Sequence, residues 1–205
     1  MYTQIIGPCC SGKTSLARSI AVRARGTVYT EPTDKATTFP LFVKDPVRYA
    51  FVNQIEFMLL TLQHELAIAS SQAPYILQDS GLFTCHYVYN HFFKDQLYLS
   101  ENQFQCLEDL FATYSKVCRR PDGVLFLYAP KLVLLAREKK RDGNMLHNFD
   151  AIYPYWIQLK EFIETQNIPL LSLDTARLSD IELYEEVKAW TNTLPQHYVQ
   201  ETGKV

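Results

Sequence analysis

Apolar and polar positions follow two patterns along this chain. Five short apolar runs indicate buried strands at 2–6, 27–30, 75–77, 124–128 and 168–173. Between these runs, apolar residues recur at helical spacing, which indicates amphipathic helices. Strands that alternate with helices favour right-handed crossovers, so the sequence predicts an α/β fold with a five-stranded, mostly parallel sheet covered on both faces.

Local signals set the helix boundaries. Asp45 and Pro46 provide an N-cap and a first-turn proline, and Ser100 with Gln103 resembles a capping box. Residues 78–81 are expected to form the turn after the third strand. Three residues of the first helix should face inward: Leu16, Ile20 and Val22. The predicted helices are 15–25, 46–70, 82–93, 100–117, 130–141, 148–165 and 179–193.

Composition excludes several classes of function. The 205 residues show no repeat or linker, so we interpret 1–205 as one domain with a loose tail from about residue 196. A formal net charge of −2 gives no basic surplus for binding nucleic acid. We expect no membrane span and no export signal, because long apolar runs are missing. Five cysteines without zinc-like pairing favour reduced thiols in the cytoplasm.

Aromatic residues and histidines give weaker signals. Most aromatic residues recur at helical spacing and are interpreted as core or dimer contacts, so a homodimer is the expected assembly. The helix at 100–117 carries such a set: Phe104, Leu107, Leu110 and Phe111. The five histidines show no ligand spacing along the chain, so we expect no metal site from them.

Residues 7–14 match the phosphate-binding pattern G-x-x-x-x-G-K-[ST] between a predicted strand and a predicted helix, as its mechanism requires. Backbone N–H groups and the helix N-terminus attract phosphate oxygens, Lys13 adds a positive charge, and Thr14 offers a hydroxyl to Mg²⁺. We therefore expect a nucleotide and Mg²⁺ at this loop, although the loop alone does not distinguish switch GTPases, ATPases and small-molecule kinases. No T-K-x-D-like guanine motif is present. The expected cofactor-binding residues are Gly7, Cys9, Cys10, Ser11, Gly12, Lys13 and Thr14.

Cys9 and Cys10 occupy the variable positions of this loop. The helix N-terminus and Lys13 would lower the pKa of a thiol here and favour oxidation. The alternative, which we favour, is that small side chains simply fit the loop.

Three charged side chains are candidates for chemistry on the phosphates. Glu31 ends the second strand, so it should face the same cleft and accept a hydroxyl proton during phosphoryl transfer. Alternatively, its carboxylate caps a turn. Arg137 and Arg141 share one helix face and can close over phosphates as forked donors. Alternatively, they belong to a solvated basic helix end.

Several segments resemble the deoxynucleoside kinase family, and together they span nearly the whole chain. Glu31-Pro32 is similar to the family's E-P, and residues 44–51, KDPVRYAF, with Gln54 after them, are similar to its K-D-P-x-R-W-A-F and glutamine. Three further segments resemble, in order, its D-R-S turn, its arginine lid and its loop around the ATP adenine: 77–83, 134–141 and 170–178.

The resemblance implies a P-loop kinase fold with a short arginine lid that transfers phosphate from ATP to the hydroxyl of a nucleoside-like small molecule. It makes Glu31 the general base, Gln54 a reader of the nucleobase edge and Asp79 an acidic neighbour of Mg²⁺. The implied catalytic residues are Glu31, Lys13, Arg137 and Arg141. The implied adenine-loop residues are Asp174 and Ala176. The implied substrate-binding residues are Gln54, Phe51, Val43 and Ser80, and the implied metal ligands are Thr14 and Asp79.

Three departures from the family pattern lie on the sugar side. Ser80 replaces an arginine, Val43 stands where a tyrosine binds the sugar 3′-hydroxyl, and 142–147 lack a glutamate that contacts the same hydroxyl. The sequence thus leaves three functions open. The first is a kinase of a (deoxy)nucleoside or related small molecule, which the intact phosphate loop and lid favour. The others are a thymidylate-like nucleoside monophosphate kinase and a nucleotide-binding regulatory protein without turnover.

Overall fold

The computed structural model describes residues 1–142 and 148–194. Its centre is a five-stranded sheet in the order β2-β3-β1-β4-β5, and every adjacent pair is parallel. The strands are β1 (Tyr2–Ile6), β2 (Thr27–Tyr29), β3 (Ile76–Asp79), β4 (Gly123–Tyr128) and β5 (Leu170–Asp174). The predicted α/β fold with a five-stranded parallel sheet is confirmed.

Helices cover both faces of this sheet. The α-helices are α1 (Lys13–Ala24), α2 (Phe39–Lys44), α3 (Pro46–Ser70), α4 (His91–Asp95), α5 (Glu101–Tyr114), α6 (Lys131–Asp142), α7 (Phe149–Thr165) and α8 (Asp180–Thr191). A π-helix (Thr84–Asn90) leads directly into α4, and a 3₁₀ turn (Ser115–Val117) follows α5. Among the helices within the described ranges, none is long and apolar enough to cross a membrane.

Alternate residues of the strands contribute side chains to two hydrophobic cores on opposite sides of the sheet. On one side, Ile5 of β1 packs in a cluster with Leu16 of α1 and Leu183 of α8. On the other side, Ile6 packs with Trp156 of α7. This alternation is the period of two that a strand imposes on its side chains. The sheet is therefore covered on both faces, as predicted.

Capping residues explain where the helices begin. The Asp45 side chain accepts a hydrogen bond from the Arg48 N–H, 3.2 Å away, at the start of α3. Ser100 and Gln103 form the predicted capping box of α5. These contacts satisfy N–H groups that have no partner inside the helix. The predicted N-termini of α3 and α5 are confirmed.

The prediction for α1 needs two corrections. The helix begins at Lys13 rather than at residue 15, because Gly12 is its N-cap and its carbonyl accepts from the Leu16 N–H at 3.0 Å. Val22 is 82% exposed, so its predicted inward orientation is wrong. The inward stripe continues through Ala17 and Ala21 instead, which lie at helical spacing from Leu16 and Ile20.

Other boundaries also differ from the sequence predictions. Gln78 and Asp79 belong to β3 rather than to the predicted turn at 78–81. The Gln78 side chain has buried partners in Glu65, 3.0 Å away, and Gln4, 3.1 Å away, and Asp79 accepts from the Thr14 hydroxyl. The short helix α2 was not predicted, and the region 84–90 is a π-helix rather than part of an α-helix. The predicted loose tail from about residue 196 and the departure at 143–147 lie outside the described residues.

Candidate active site

A cavity of about 410 Å³ opens at the carboxyl end of β1. Parallel α/β sheets bind ligands beyond the carboxyl ends of their strands, so this position is the expected one. The loop after β1, the end of β2, helix α6 and the segment after β5 all contribute to its wall. The lining residues include Cys9, Cys10, Ser11, Gly12, Lys13, Thr14, Glu31, Arg137, Arg141, Thr175 and Leu178.

Two glycines shape the loop after β1. Gly7 has φ of 140°, and a Cβ added there would lie 2.1 Å from the backbone oxygen of Leu127. The loop therefore approaches β4 more closely than any other residue would allow. Gly12 has φ of 96°, and a Cβ there would meet nothing within 4 Å, so the requirement at Gly12 is conformational.

Lys13 lies buried at the base of the cavity, with 8% of the residue exposed. Its Nζ donates to the Pro8 carbonyl at 3.2 Å and lies 5.7 Å from the centroid of the Trp156 ring. Ser11 in the same loop is fully buried, and its Oγ has no hydrogen-bond partner among the described residues. A buried cation and an unsatisfied hydroxyl beside a helix N-terminus favour binding of an anion such as phosphate.

Thr14 and Asp79 meet at the start of α1. The Thr14 hydroxyl donates to Oδ2 of Asp79, and the Ser80 hydroxyl lies 3.5 Å from Oδ1 of the same carboxylate. Asp79 is 2% exposed, so its charge is buried next to the phosphate loop. A carboxylate and a hydroxyl are the hard oxygen ligands that Mg²⁺ prefers, so these side chains fit the ion.

Arg137 joins α6 to two loops of the cavity. Its guanidinium donates to the Thr175 hydroxyl at 2.8 Å, to the Thr175 carbonyl at 2.7 Å and to the Cys10 carbonyl at 3.3 Å. The exposed Arg141 reaches the same loop, where its guanidinium lies 3.3 Å from Sγ of Cys9. Both arginines predicted as a lid therefore lie over the phosphate loop. Their forked donors suit phosphate oxygens.

The neighbouring thiols lie 3.9 Å apart at Sγ of Cys9 and Cys10. Their mutual hydrogen bond and partial burial raise the pKa of the Cys10 thiol. This direction is opposite to the one that a reactive thiolate requires. It supports the interpretation that small side chains fit the loop.

Glu31 lines the same cavity as the arginines of α6. Burial raises the pKa of Cys85 to about 12, and the nearby Glu31 carboxylate adds to this effect. Burial and Glu31 also raise the pKa of Tyr89, which the π-helix carries. Glu31 is therefore close to both the phosphate loop and the interior beside the π-helix.

The segment that follows Glu31 is tied to α3. The Glu56 carboxylate accepts from the backbone N–H groups of Thr37, at 2.9 Å, and Thr38, at 2.8 Å, and from both hydroxyls. Partial burial opposes ionisation, but these donors lower the pKa of Glu56 to about 2. These contacts fix the segment around Thr37 and Thr38, which follows β2, against α3, the helix that also carries Gln54.

None of the four predicted acceptor residues lines the phosphate cavity, although Ser80 adjoins Asp79. Gln54 is 3% exposed on α3, and its Oε1 has no hydrogen-bond partner in the described part of the chain. Phe51 packs on the same side of the fold against the cluster around Met58. Val43 is 43% exposed on α2, and Ser80 is almost buried with φ of 60°. The unsatisfied amide of Gln54 is the feature that fits a ligand edge.

The adenine-loop residues predicted after β5 shape that loop. Oδ1 of Asp174 accepts from the Ala176 N–H at 2.9 Å, and Oδ2 pairs with Nε of Arg177 at 3.2 Å. Thr175 and Leu178 are the members of this loop that line the cavity. The predicted adenine loop included Thr175, but sequence reasoning missed Trp156 and Tyr89, because only tertiary contacts bring them near Lys13 and Glu31.

Comparison with known proteins agrees with this geometry. The family described as deoxynucleoside kinase matches residues 4–200, whereas no curated protein matches the sequence. A deoxyadenosine kinase from M. mycoides with bound dCTP has a TM-score of 0.78 at 18% identity, covering 95% of this chain and 100% of that chain. The same kinase with bound dATP gives 0.77 at 18% identity, covering 94% and 100%. The family match includes the phosphate loop, Glu31 and both arginines. This chain therefore belongs to the deoxynucleoside kinase family and is a nucleoside kinase.

Proposed function

We propose that this kinase transfers the γ-phosphoryl group of ATP, in the presence of Mg²⁺, to a hydroxyl of a deoxynucleoside. The observation that carries the proposal is one cavity lined by the phosphate loop, by Glu31 and by the arginines of α6. An acidic side chain and three basic side chains thus line one cavity that can hold phosphates. Phosphoryl transfer needs this combination of a proton acceptor and positioned positive charge.

Each group has a role in the proposed reaction. Glu31 accepts the hydroxyl proton as the acceptor oxygen bonds to the γ-phosphorus, and the bond to the β–γ bridging oxygen breaks to release ADP. Lys13, Arg137 and Arg141 stabilise the negative charge on the transferring group. Thr14 and Asp79 would hold Mg²⁺, which supplies charge neutralisation at the phosphates when bound.

The acceptor class follows from the buried amide of Gln54 and from the structural neighbours. The unsatisfied, buried Oε1 of Gln54 supports recognition of a donor group on a nucleobase edge. The deoxyadenosine kinase of M. mycoides is described with dATP, with dCTP and with the products dCMP and dCDP. We therefore propose deoxyadenosine and deoxycytidine as the first acceptors to test.

The proposal includes a homodimer in the cytosol. No disulfide joins the cysteines within the described ranges, and this supports a reducing compartment. Val52, Leu59 and Leu66 lie seven residues apart on α3 and are exposed in the single chain, and this supports self-association. Light scattering coupled to size-exclusion chromatography measures the assembly directly.

An acceptor screen with γ-labelled ATP tests the proposal. Deoxynucleosides, ribonucleosides and nucleoside monophosphates form the three arms, with Mg²⁺ present or removed by a chelator. We expect transfer to deoxynucleosides that depends on Mg²⁺. Transfer to monophosphates alone would replace the proposal by a thymidylate-like kinase. Tight ATP binding without transfer to any acceptor would assign a regulatory role.

A further inference from the structure

A cluster of metal-ligating side chains lies where the π-helix and α4 meet α5. Among the residues that the structure describes, it comprises His86, His91 and Glu108, with one ligand atom from each lying within 4.8 Å of the other two. Nδ1 of His86 is 3.1 Å from Oε1 of Glu108, and Nε2 of His91 is 3.9 Å from the same oxygen. The ligands of a tetrahedral zinc ion, bonded at about 2.0–2.1 Å, lie roughly 3.3 Å apart. The two nitrogen-to-oxygen distances, 3.1 Å and 3.9 Å, lie on either side of this value.

The π-helix creates the histidine pair. Residues five apart, such as His86 and His91, point in different directions on an α-helix, which completes a turn in 3.6 residues. Hydrogen bonds of the i→i+5 type widen the turn over Thr84–Asn90, so both imidazoles come to one face. Single π-helical turns occur frequently at functional sites. This geometry also explains why the histidine spacing in the sequence gave no metal signal.

Two atoms of the cluster have unmet polar requirements. Nδ1 of His86 and Oε1 of Glu108 are inaccessible to solvent, and neither makes a hydrogen bond within the described chain. They lie close together without the alignment of a hydrogen bond. Buried polar atoms are usually satisfied, and a shared cation would satisfy both of these.

Aromatic side chains of α5 fix both imidazole rings. Phe111 stacks on His86 with centroids 3.7 Å apart and an interplanar angle of 1°. Phe104 meets His91 edge-on at 5.2 Å. Rings held in this way have little conformational freedom left to lose when an ion binds. The site is therefore preorganised.

Charge and access also favour a cation. Asp95 acts electrostatically on His91, and Asp109 acts on Glu108, while Lys94 of α4 is paired with Glu101. The His86 side chain is 6% exposed, but those of His91 and Glu108 are 39% and 30% exposed. The open side gives the ion an entry path and leaves a coordination position for water.

We propose that His86, His91 and Glu108 bind one divalent transition-metal ion, with zinc as the best fit. Two imidazoles and one carboxylate suit Zn²⁺, whereas Mg²⁺ and Ca²⁺ take oxygen ligands. The ion would clamp the π-helix and α4 against α5. It is separate from the nucleotide-bound Mg²⁺, because none of its ligands lines the phosphate cavity.

Calorimetric titration of the chelator-treated protein with ZnCl₂, in excess Mg²⁺, tests the site. His91→Ala and Glu108→Gln remove ligands without changing the phosphate loop, and His64→Ala is the matched control because His64 lies outside the cluster on α3. We expect one ion per chain in the native protein and in the control. Each ligand variant should lose at least about tenfold in affinity, since even indirect partners of metal ligands contribute 10–100-fold.

Thermal unfolding and a Co²⁺ absorption spectrum complete the test. Zn²⁺ should raise the unfolding temperature of the native protein and of His64→Ala but not of Glu108→Gln, which keeps the shape of the side chain. The Co²⁺ spectrum should lack the charge-transfer bands of thiolate ligands. Absence of stoichiometric binding, equal binding in all variants, or thiolate bands would each overturn the proposal.

Discussion

Replacing Lys13 by methionine separates its role in nucleotide binding from its role in the fold. The side chain keeps its length and loses its charge. In the structure, its Nζ donates to the Pro8 carbonyl at 3.2 Å, and that carbonyl also accepts from the Ser11 N–H at 3.2 Å. The carbonyl therefore stays satisfied in the variant, and methionine packs against Trp156. We expect the free energy of unfolding without ligand to change by less than about 1 kcal/mol.

The nucleotide-dependent part of the stability should change far more. A charge-assisted hydrogen bond contributes about 1.5–3 kcal/mol, so loss of the Lys13 contact weakens ATP binding roughly 10- to 100-fold. At ATP concentrations of about 100 times the native Kd, the native protein gains about 2.7 kcal/mol from the ligand. With a Kd about 100 times larger, the same concentration gives only about 0.4 kcal/mol.

Chemical denaturation with and without ATP and Mg²⁺ measures both quantities. Lys188→Met on α8 is the matched control, because it removes an exposed lysine whose ion-pair partner is Glu185, 3.7 Å away. The control should keep the full ATP-dependent gain. A native-sized gain in Lys13→Met would refute the phosphate-binding role, and a ligand-free loss above about 3 kcal/mol would assign Lys13 to the fold instead.

Three further variants or substrates test other parts of the account. Gly7→Ala should lower the free energy of unfolding more than Gly12→Ala, because the added Cβ meets the Leu127 oxygen at 2.1 Å in the first and nothing within 4 Å in the second; equal losses in urea denaturation would contradict this. Glu56→Gln should remove about 1 kcal/mol of stability at neutral pH. Because folding lowers the pKa of Glu56 from 4.5 to about 2, the contribution of Glu56 to the free energy of unfolding is complete above pH 4.5 and is lost as the pH falls toward 2. Parallel stability–pH curves for the native protein and Glu56→Gln would contradict this prediction. Deoxynucleosides without a 3′-hydroxyl should be phosphorylated with kcat/KM within about tenfold of the values for their parents. Val43→Tyr should increase this difference in kcat/KM, since a site that binds the hydroxyl rejects the analogue by about 10⁴-fold. A strong preference for the 3′-hydroxyl in the native protein would refute the prediction.

The sheet and the phosphate loop were predictable because their signals are local. The strand Tyr2–Ile6, the glycine pattern after it and the caps at Asp45 and Ser100 depend on a few neighbouring residues. The end of β3 was not predictable in this way. The local sequence predicts that Gln78 is a turn residue. Its side-chain amide is buried in the sheet because it donates a hydrogen bond to Glu65, thirteen positions earlier in the chain.

The candidate site shows the same limit. The motif placed Lys13 and Thr14 in the phosphate loop, but the ring of Trp156 beneath Lys13 comes from α7, far along the chain. The pairing of His86 with His91 depends on a π-helical turn, which a pattern with a period of 3.6 cannot indicate. Residue spacing along a helical segment predicts which side chains share a face only where the segment is an α-helix.

Turnover by Glu31→Gln tests the central claim most directly. The substitution keeps the shape of the side chain and removes its ability to accept the hydroxyl proton. With ATP, Mg²⁺ and the best deoxynucleoside from the screen, kcat should fall by roughly 10²–10⁴, the usual contribution of a general base, while the calorimetric Kd for ATP stays within about twofold. A kcat close to that of the native protein would contradict the assignment of Glu31 as the base.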